Sequence, residues 1–406
     1  MVKADVLVIG GGHAGGEVAS ELRRLGFSER ILVVGDEVHP PYHRPPLSKD
    51  VLTTTGTPSP LLIRSHDFYA SHAIDTCFGD PVVVVDLAAR SAILESGRRI
   101  DFGKLVFATG GRCRDLDVQD FRARGIHTLR TFEDARELRS NMLACERVAI
   151  VGGGFIGLEV AAAARSLGRE VIVVEAADLL LGRATSQEVG EMAHSRLVEA
   201  GVDVRLRESV RRIVVSDGRV TGLELNSGRI PAEVVVVGVG IAPNDELASA
   251  AGIPCDSGIL IDVTGATDHE DVFAVGDCAR VRPDESEPPS PGGTVEHAEH
   301  LAKCVAALIV GSSPIPRRVP WAWSDQGDFL YQRAGHLRSG DHIVWRTPPT
   351  DKSLAKLHFR NGELAGIEAV NCPADARAVR ALLTHGLHLS PADAADPLRR
   401  LAPSTR

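Results

Sequence analysis

Near the N-terminus the chain reads Asp5-Val6-Leu7-Val8-Ile9-Gly10-Gly11-Gly12-His13-Ala14-Gly15. The short apolar run is rich in β-branched residues and predicts a buried parallel strand, and the glycines after it predict a tight turn. Apolar residues at helical spacing predict a helix from Gly16 to Leu25, and residues 31–34 form a second apolar run. This order predicts a complete β-α-β unit, in which a helix connects two parallel strands.

The same unit returns about 142 residues later. Residues 148–151 (VAIV) predict the strand, residues 152–157 (GGGFIG) the turn, residues 158–167 the helix and residues 171–174 (VIVV) the second strand. A period this long excludes a solenoid of short repeats. It predicts two separate nucleotide-binding domains.

Both turns fit the dinucleotide fingerprint G-x-G-x-x-G. In this motif the first glycine makes the turn, the second lets the backbone approach a pyrophosphate, and the third lets the helix pack on the strand. The N-terminus of the helix then presents N–H groups to the anion. The glycines concerned are Gly10, Gly12 and Gly15 in the first copy and Gly152, Gly154 and Gly157 in the second.

An acidic residue follows each fingerprint at the distance expected of a ribose ligand. Asp36 lies 21 residues after Gly15, with Glu37 as the neighbouring alternative, and Glu175 lies 18 residues after Gly157. A carboxylate accepts hydrogen bonds from a ribose 2′-hydroxyl and repels a 2′-phosphate. The three residues after Glu175 include no arginine, so the second site is predicted to prefer NAD over NADP.

Composition narrows the class of protein. The chain has 406 residues, 44% of them hydrophobic and 24% charged, which is typical of a globular protein with more than one domain. A net charge of −9 argues against nucleic acid as a partner. No apolar run approaches the ~18 residues of a membrane span, and the first 12 residues lack the pattern of a secretory signal, so we expect no membrane partner and a cytoplasmic location.

Seven cysteines are scattered along the chain, without any C-x-x-C or C-x4-C spacing. A metal cage, a disulfide framework and a local redox-active dithiol therefore lack support, and we predict no metal site. The pair His297 and His300 has the spacing H-x-x-H but no third ligand nearby in sequence. Cys278 is interpreted as a packed thiol.

Further elements can be predicted along the rest of the chain. Strands are expected at residues 81–85, 105–107, 234–237 and 272–275, and helices at about 295–309 and 375–384. After Pro316 the sequence becomes richer in aromatic residues and contains turn signals at 340–341 and 361–362, which predicts an antiparallel sheet.

Taken in order, these motifs resemble those of the two-dinucleotide-domain flavoproteins, and more narrowly the ferredoxin reductases of bacterial oxygenase systems. The most specific pieces are residues 41–49 (PYHRPPLSK) and 320–326 (PWAWSDQ), together with residues 108–110 (ATG) and 275–277 (VGD). The resemblance covers essentially the whole chain. It implies that the first fingerprint holds FAD and the second holds NADH.

The resemblance also implies site residues. Those expected at FAD are Gly10, Gly12, Ala14, Gly15, Asp36, Arg44, Lys49, Val82, Ala108, Thr109, Gly110, Arg130, Asp277, Val295 and Trp323. Those expected at NAD are Gly152, Gly154, Phe155, Ile156, Gly157, Glu159, Glu175 and Gly240. Val295 would begin a helix whose N-terminus faces the flavin, where a helix dipole stabilises negative charge. Relatives often have Asn at the position of His297, which leaves the role of that side chain open.

Three residues are candidates for a direct part in electron transfer. Lys49 and Glu159 would form an ion pair beside the flavin, although Glu159 could instead serve only as an acid near a helix N-terminus. Trp323 would lie at the flavin edge, although Trp321 and Trp323 could both be core aromatic residues.

The implied fold is α/β, with two Rossmann-like dinucleotide-binding domains and a C-terminal α+β domain. We expect an FAD domain at 1–112 and 243–316, an NAD domain at 113–242 and the C-terminal domain at 317–406. The implied enzyme is an NADH:ferredoxin oxidoreductase that reduces a [2Fe–2S] ferredoxin feeding an oxygenase, as a monomer or weak homodimer. The alternatives are a rubredoxin reductase and a slow redox sensor of the apoptosis-inducing-factor type.

Charge suggests where a ferredoxin would dock. Residues 317–406 contain 13 Lys and Arg against 9 Asp and Glu, whereas the whole chain is acidic. Ferredoxins of these systems are usually acidic, as the resemblance implies. The C-terminal part is therefore the predicted docking region, with Arg317 and Arg318 at its rim.

Overall fold

The computed structural model describes residues 2–282, 293–313, 315–316, 318–350 and 352–401. These residues form 24 strands and ten α helices. The strands are β1 Val2–Ile9, β2 Ile31–Gly35, β3 Ile74–Phe78, β4 Val82–Asp86, β5 Ser91–Leu94, β6 Arg99–Phe107, β7 Gly111–Cys113, β8 Ile126–His127, β9 Arg147–Val151, β10 Glu170–Glu175, β11 Asp203–Leu206, β12 Val210–Ser216, β13 Arg219–Leu225, β14 Gly228–Pro231, β15 Val234–Val237, β16 Ile241–Pro243, β17 Ile259–Ile261, β18 Val272–Ala274, β19 Ala279–Val281, β20 Trp321–Asp325, β21 Leu330–Gly335, β22 His342–Thr347, β23 Leu354–Arg360 and β24 Glu363–Val370.

The α helices are α1 His13–Arg24, α2 Asp50–Thr53, α3 His66–Ser71, α4 Phe132–Leu143, α5 Phe155–Ser166, α6 Gln187–Glu199, α7 Glu246–Ala250, α8 Val295–Val310, α9 Pro373–Thr384 and α10 Pro391–Ala395. Short 3₁₀ helices occupy Pro45–Ser48 and Gly276–Cys278. The chain divides into two compact units. The first comprises residues 1–43, 60–112 and 241–318, and the second comprises residues 44–59, 113–240 and 319–406.

The first unit is built on a mixed sheet with strand order β3-β2-β1-β6-β5-β4, and β18 also pairs with β6. β1 runs parallel to β2 and β6, whereas β4, β5 and β6 pair antiparallel. β1 and β2 are apolar along most of their length, and helices α1 and α8 bury their apolar faces in the same core. Because β1 is central, the loop that follows it lies at the carboxyl edge of the parallel strands, where nucleotides bind in such sheets.

The second unit contains three sheets. A parallel sheet has the order β11-β10-β9-β15-β8, a small antiparallel sheet is formed by β12, β13 and β14, and the C-terminal sheet has the order β20-β21-β24-β23-β22. All the pairings of the C-terminal sheet are antiparallel. Helix α9 packs on one face of that sheet over a core that includes Leu357, Phe359 and Ile367.

The two predicted β-α-β units are confirmed, but both helices begin three residues earlier than expected. They start directly after Gly12 and Gly154, so the third glycine of each fingerprint lies inside the helix. Glycine is unfavourable within a helix by ~1 kcal/mol, and the close contact with the strand outweighs this cost. The predicted strand at residues 234–237 and the antiparallel sheet after Pro316 are also confirmed.

The three-domain division stays a prediction. In the structure, residues 44–59 group with the second unit and not with the strands that precede them. These residues include the segment Pro45-Pro46-Leu47-Ser48-Lys49, which the resemblance singled out. The Pro/Ser/Glu-rich residues 283–292 and Arg317 of the predicted docking rim lie outside the described part of the chain.

Candidate functional site

The glycine loop of the first unit connects β1 to α1. Gly10 has a φ of +124°, and a Cβ at this position would lie 2.0 Å from the carbonyl oxygen of Ala108. A Cβ on Gly15 would lie 2.0 Å from the carbonyl oxygen of Gly10. Gly12 is the N-cap residue of α1, and no side chain caps this helix. The N-terminus of α1 therefore fits a pyrophosphate, because its first N–H groups are available to an anion.

Three predicted FAD residues lie around this loop. Ala14 is buried in the first turn of α1, and a Cβ on Gly276 would lie 3.0 Å from the Ala14 Cβ. Asp277 therefore lies close to the glycine loop. Val295 is the first residue of α8, whose N-terminus is capped by Thr294, which accepts the backbone N–H of His297 at 3.2 Å.

His297 is the side chain whose role the sequence leaves open. Burial lowers the pKa of His297, and the nearby Asp277 carboxylate opposes this shift. The imidazole is therefore favoured in its neutral form beside the loop.

The structure distinguishes between the two candidate ribose acids of the first unit. The Tyr42 hydroxyl donates to Glu37 Oε2 at 2.5 Å, which engages the Glu37 side chain within the protein. Asp36 directly follows β2, is exposed, and accepts the backbone N–H of Glu37 at 3.0 Å. Asp36 is the better candidate, because it is exposed and open to a ribose hydroxyl, whereas Glu37 is half-buried against Tyr42.

Residues 108–110 follow β6 and are held by a residue that sequence reasoning missed. The Thr109 hydroxyl donates to the carbonyl oxygen of Asn244 at 2.5 Å, and the Asn244 side-chain amide donates to the carbonyl oxygen of Thr109 at 2.9 Å. Asn244 thereby fixes the loop whose first carbonyl faces Gly10. Val82, the remaining FAD candidate of this unit, is half-buried and begins β4.

The glycine loop of the second unit repeats this geometry. Gly152 has a φ of +110°, and a Cβ there would lie 2.5 Å from the carbonyl oxygen of Gly238. A Cβ on Gly157 would lie 2.3 Å from the carbonyl oxygen of Gly152. Gly154 is the N-cap of α5, has no side-chain cap, and a Cβ there would meet no protein atom within 4 Å. This loop also fits a pyrophosphate.

Glu175 ends β10 and is tied to the second glycine loop. The backbone N–H of Gly153 donates to Glu175 Oε2 at 2.6 Å, and the N–H of Ala177 donates to Oε1 at 2.8 Å. These bonds fix the carboxylate at the end of the strand with lone pairs to spare. Of the other NAD candidates, Ile156 is exposed, Gly240 has a φ of +112°, and the ring of Phe155 lies 5.4 Å from that of Tyr331.

The predicted ion pair is present in the second unit. Lys49 Nζ lies 2.7 Å from Glu159 Oε2, and the Glu159 side chain is 4% exposed. Two hydroxyl groups also donate hydrogen bonds to the Glu159 carboxylate. Ser48 Oγ donates to Oε2 at 2.5 Å, and Ser324 Oγ donates to Oε1 at 2.6 Å. The burial of an ionised carboxylate is costly unless it is paired and hydrogen-bonded, and here both conditions are met. Sequence reasoning missed both serines.

Arg44 and Arg130 also meet in the second unit. A guanidinium nitrogen of Arg44 donates to the carbonyl oxygen of Arg130. The chain at Arg130 is fixed by Asp134, whose carboxylate accepts the N–H of Arg130 at 3.0 Å and that of Thr131 at 2.8 Å at the start of α4. Trp323 is 42% exposed in β20, whereas Trp321 packs against the core under α9, with the Arg380 guanidinium 4.9 Å from its ring.

A second buried carboxylate links the C-terminal sheet to the parallel sheet's helices. Glu368 is 2% exposed, and its Oε1 accepts the Tyr331 hydroxyl and the backbone N–H of Ser186, each at 3.1 Å. Burial, and then the Glu368 carboxylate, raises the pKa of Tyr331 well above its ordinary value. Tyr331 therefore stays a protonated donor that touches both Glu368 and Phe155.

Six of the seven cysteines show no sign of thiolate chemistry, and the seventh, Cys77, has the Arg98 guanidinium against its sulfur. All seven are free thiols. Burial raises the pKa of six of them and brings that of Cys255 to about 11, with the Asp245 carboxylate as the next cause. A redox-active cysteine needs a lowered pKa. Among the described residues there is no group of three or more His, Cys, Asp or Glu side chains that could hold a metal ion.

In the part of the chain covered by the structure, no helix has both the length and the apolar character needed to cross a membrane.

Comparison with known proteins gives full-length matches. A rhodocoxin reductase from Rhodococcus erythropolis is 40% identical, over 97% of this chain and 92% of its own length. The crystal structure of the ferredoxin reductase for the CYP199A2 system from Rhodopseudomonas palustris superposes with a TM-score of 0.92, at 38% identity and 98% coverage of both chains. A covalent putidaredoxin reductase–putidaredoxin complex matches with a TM-score of 0.92, at 34% identity over 99% of this chain and 98% of that one.

Family assignments agree with these matches. Residues 4–300 match the pyridine nucleotide-disulphide oxidoreductase family, and residues 321–404 match the reductase C-terminal domain. Proteins of this kind use FAD and NAD(P)H, which the two glycine loops fit. The resemblance predicted from the sequence and the predicted fold class are confirmed. This chain belongs to the pyridine nucleotide-disulphide oxidoreductase family and carries a reductase C-terminal domain.

Proposed function

We propose that this chain is an NADH-dependent FAD enzyme that reduces a [2Fe–2S] ferredoxin, which in turn supplies an oxygenase of the cytochrome P450 or Rieske type. The observation that carries the proposal is the presence of two intact dinucleotide loops in a chain 40% identical to a rhodocoxin reductase along 97% of its length. A disulfide reductase would need a reactive dithiol, and burial raises the pKa of most cysteines here.

The residues of the chain supply binding, placement and charge. A bound FAD would supply the redox chemistry, namely acceptance of a hydride from NADH and single-electron donation to an iron–sulfur partner. In the first unit, the N-terminus of α1 would hold the FAD pyrophosphate and Asp36 a ribose hydroxyl. In the second unit, the N-terminus of α5 would hold the NADH pyrophosphate and Glu175 the adenosine ribose. Lys49 would present a cation whose charge is balanced by Glu159 at 2.7 Å.

The preference for NADH over NADPH is part of the proposal. Glu175 is positioned by the N–H groups of Gly153 and Ala177, so its carboxylate cannot turn away from a 2′-phosphate without losing both bonds. The backbone N–H of Arg207 donates to the carbonyl oxygen of Ala177 at 2.9 Å, and the Arg207 guanidinium lies 3.9 Å from the Asp178 carboxylate. The nearby arginine charge is thus partly offset by an acidic neighbour.

One experiment tests the acceptor. The purified holoenzyme is mixed with NADH and a panel of [2Fe–2S] ferredoxins and rubredoxins, and reduction is followed by the absorbance of each iron–sulfur or iron centre. We expect turnover with at least one [2Fe–2S] ferredoxin and little with rubredoxins. Faster turnover with a rubredoxin would identify a rubredoxin reductase, and slow transfer to every carrier would favour a redox sensor.

We propose that the ferredoxin docks on the basic residues 317–406. Arg318 is exposed, and its charge acts on His300 of α8. The double variant Arg317→Glu with Arg318→Glu should lower kcat/KM for ferredoxin, most strongly at low ionic strength, because rim charges act on the association rate and are screened by salt. Reduction of a small neutral acceptor should be unchanged.

We further propose that the enzyme works in the cytoplasm as a monomer or weak homodimer. Seven free thiols fit a reducing compartment. Cell fractionation checks the location, and light scattering across a concentration series checks the oligomeric state.

A further inference from the structure

Glu159 is held by three separate segments of the second unit. Ser48 and Lys49 come from the turn that contains Pro45 and Pro46, Glu159 from α5, and Ser324 from β20. The contacts divide between the two carboxylate oxygens. Oε2 faces Lys49 and Ser48, whereas Oε1 faces Ser324. The carboxylate can therefore rotate only by breaking hydrogen bonds on both sides.

A relay behind Ser324 fixes the direction of its hydrogen bond. Gln326 is buried, and its side-chain amide donates to Ser324 Oγ at 3.2 Å. Because the amide N–H donates a hydrogen bond to this oxygen, the Ser324 hydroxyl acts as an acceptor there and donates its own hydrogen to Glu159 Oε1. Ser324 is 1% exposed, so water does not compete for this bond.

Lys49 is the less restrained partner. Its side chain is 23% exposed, and its ammonium contacts Glu159 Oε2 at 2.7 Å and the carbonyl oxygen of Pro45 at 3.3 Å. The position of this ammonium depends on where Oε2 points, and that depends on the bond that Ser324 makes to Oε1. Removal of the serine would leave Glu159 held on one side only.

We propose that Ser324 is a positioning residue that orients Glu159, and through it Lys49, for the NADH half-reaction. Side chains alternate across a strand, so Ser324 and its neighbour Trp323 point to opposite faces of β20. The C-terminal sheet thus contributes directly to the Lys49–Glu159 pair. The inference rests on the proposed function, because it assigns Ser324 a role in reduction by NADH.

The first test measures the pair without measuring activity. Holoenzyme is exposed to a limiting amount of an acetylating reagent, and the labelling rate of Lys49 is read by peptide mass spectrometry. We expect Lys49 to react about threefold faster in Ser324→Ala. With the Glu159 carboxylate less well oriented, the Lys49 amino group spends more time outside the ion pair and accessible to the reagent. Ser324→Thr, which keeps the hydroxyl, should react at the wild-type rate.

Ser166→Ala is the matched control. It removes a serine hydroxyl from α5, seven residues after Glu159. In the wild type, Ser166 Oγ donates to the carbonyl oxygen of Ala163 at 2.7 Å. This variant should label and turn over like the wild type. A change in Ser324→Ala that also occurs in Ser166→Ala would overturn the proposal.

The second test is stopped-flow reduction of the bound flavin by NADH. In Ser324→Ala the limiting rate should fall about tenfold, as for the loss of one hydrogen bond to a charged group, while the apparent Kd for NADH changes less than twofold. Ser324→Thr should restore the rate. In a Glu159→Ala background, Ser324→Ala should add less than twofold, since the serine acts through the carboxylate.

Two results would overturn the proposal: wild-type labelling and reduction rates in Ser324→Ala, or full multiplication of the two effects in the double variant. Failure of the proposed function can be distinguished from failure of the proposal about Ser324. If NADH does not reduce the wild-type flavin, the function is wrong, and the Lys49 labelling rates still decide whether Ser324 orients the pair.

Discussion

Two glutamates occupy the same place in the two copies of the β-α-β unit. Glu17 and Glu159 each lie five residues after the second glycine of their fingerprint, and each is buried in its helix. Glu17 lies 3.8 Å from Arg64 and 3.6 Å from Lys303, which are loose ion pairs. Glu159 has three partners within 2.7 Å. The local unit is the same, and the neighbouring segments determine whether its acid is merely compensated or tightly oriented.

The glycine loops are the part that the two copies share, and their variants should have the largest effects. Gly10→Ala and Gly152→Ala each place a methyl group within 2.5 Å of a backbone carbonyl oxygen at a positive φ. We expect each to destabilise the protein by at least about 3 kcal/mol in urea unfolding and to abolish binding of the corresponding nucleotide.

Gly154→Ala is the control for this prediction. Its methyl group would meet no protein atom within 4 Å, so the protein should unfold at nearly the wild-type urea concentration. A loss of NADH affinity in this variant would then come from the ligand's approach and not from misfolding. Equal destabilisation by all three variants would contradict the close-packing argument.

The comparison of the two acids gives the next largest effect. Glu159→Gln keeps the shape of the side chain but leaves Lys49 without its counter-charge, and we expect NADH-driven flavin reduction to slow by about 30-fold. Glu17→Gln weakens only loose ion pairs, so its reduction rate should stay within about twofold of the wild type. Stopped-flow rates check both. Similar losses in the two variants would show that the equivalent positions do equivalent work.

Asp36 and Glu175, the two acids proposed to bind ribose, also differ in how firmly the protein holds them, and we expect a smaller effect from this difference. Glu175 is tied to the backbone of its glycine loop, whereas Asp36 is exposed. The wild type should prefer NADH over NADPH by at least about tenfold, equivalent to ~1.4 kcal/mol. Glu175→Gln should narrow the ratio of the two kcat/KM values. Asp36→Asn should lower the FAD content of the purified protein and leave the ratio unchanged.

Much of this organisation could be predicted from the sequence, because local patterns encode it. The glycine spacing predicts both loops, and Asn361-Gly362 predicts the tight turn between β23 and β24, where both residues have positive φ values. The Lys49–Glu159 pair was predicted only through family resemblance, since 110 residues separate its members.

The partners of buried carboxylates could not be predicted. Ser324 donates to Glu159 although 165 residues separate them in sequence, and Glu368 accepts the N–H of Ser186 although 182 residues separate these two. Serines are common and carry no periodic signal, so sequence alone does not reveal which hydroxyl groups meet a carboxylate. Only the packing of the C-terminal sheet on α5 and α6 within the second unit brings these groups together.

The smallest expected effect concerns one histidine in each unit, the half-buried His297 and the buried His127. Burial lowers the pKa of His297 in the first unit, where Asp277 opposes the shift, and that of His127 in the second, where Glu137 and Asp134 oppose it. Below a pH of about 6.5 the unfolded chain binds a proton that the folded chain does not, so stability falls as the pH falls towards the lowered pKa. Each histidine contributes at most about 1.4 kcal/mol per pH unit.

Asparagine variants separate the two contributions. On acidification, the free energy of unfolding should fall less in His297→Asn and in His127→Asn than in the wild type. This difference from the wild type should appear between pH 6.5 and pH 5.5 and vanish at pH 8. Urea unfolding of the holoenzyme at the three pH values measures it. Because His297 lies beside Asp277 at the glycine loop, its variant should also make FAD release less sensitive to acid, whereas His127→Asn should leave FAD release unchanged. If both variants alter FAD release equally, acid acts on the fold as a whole, and His297 has no special relation to the loop.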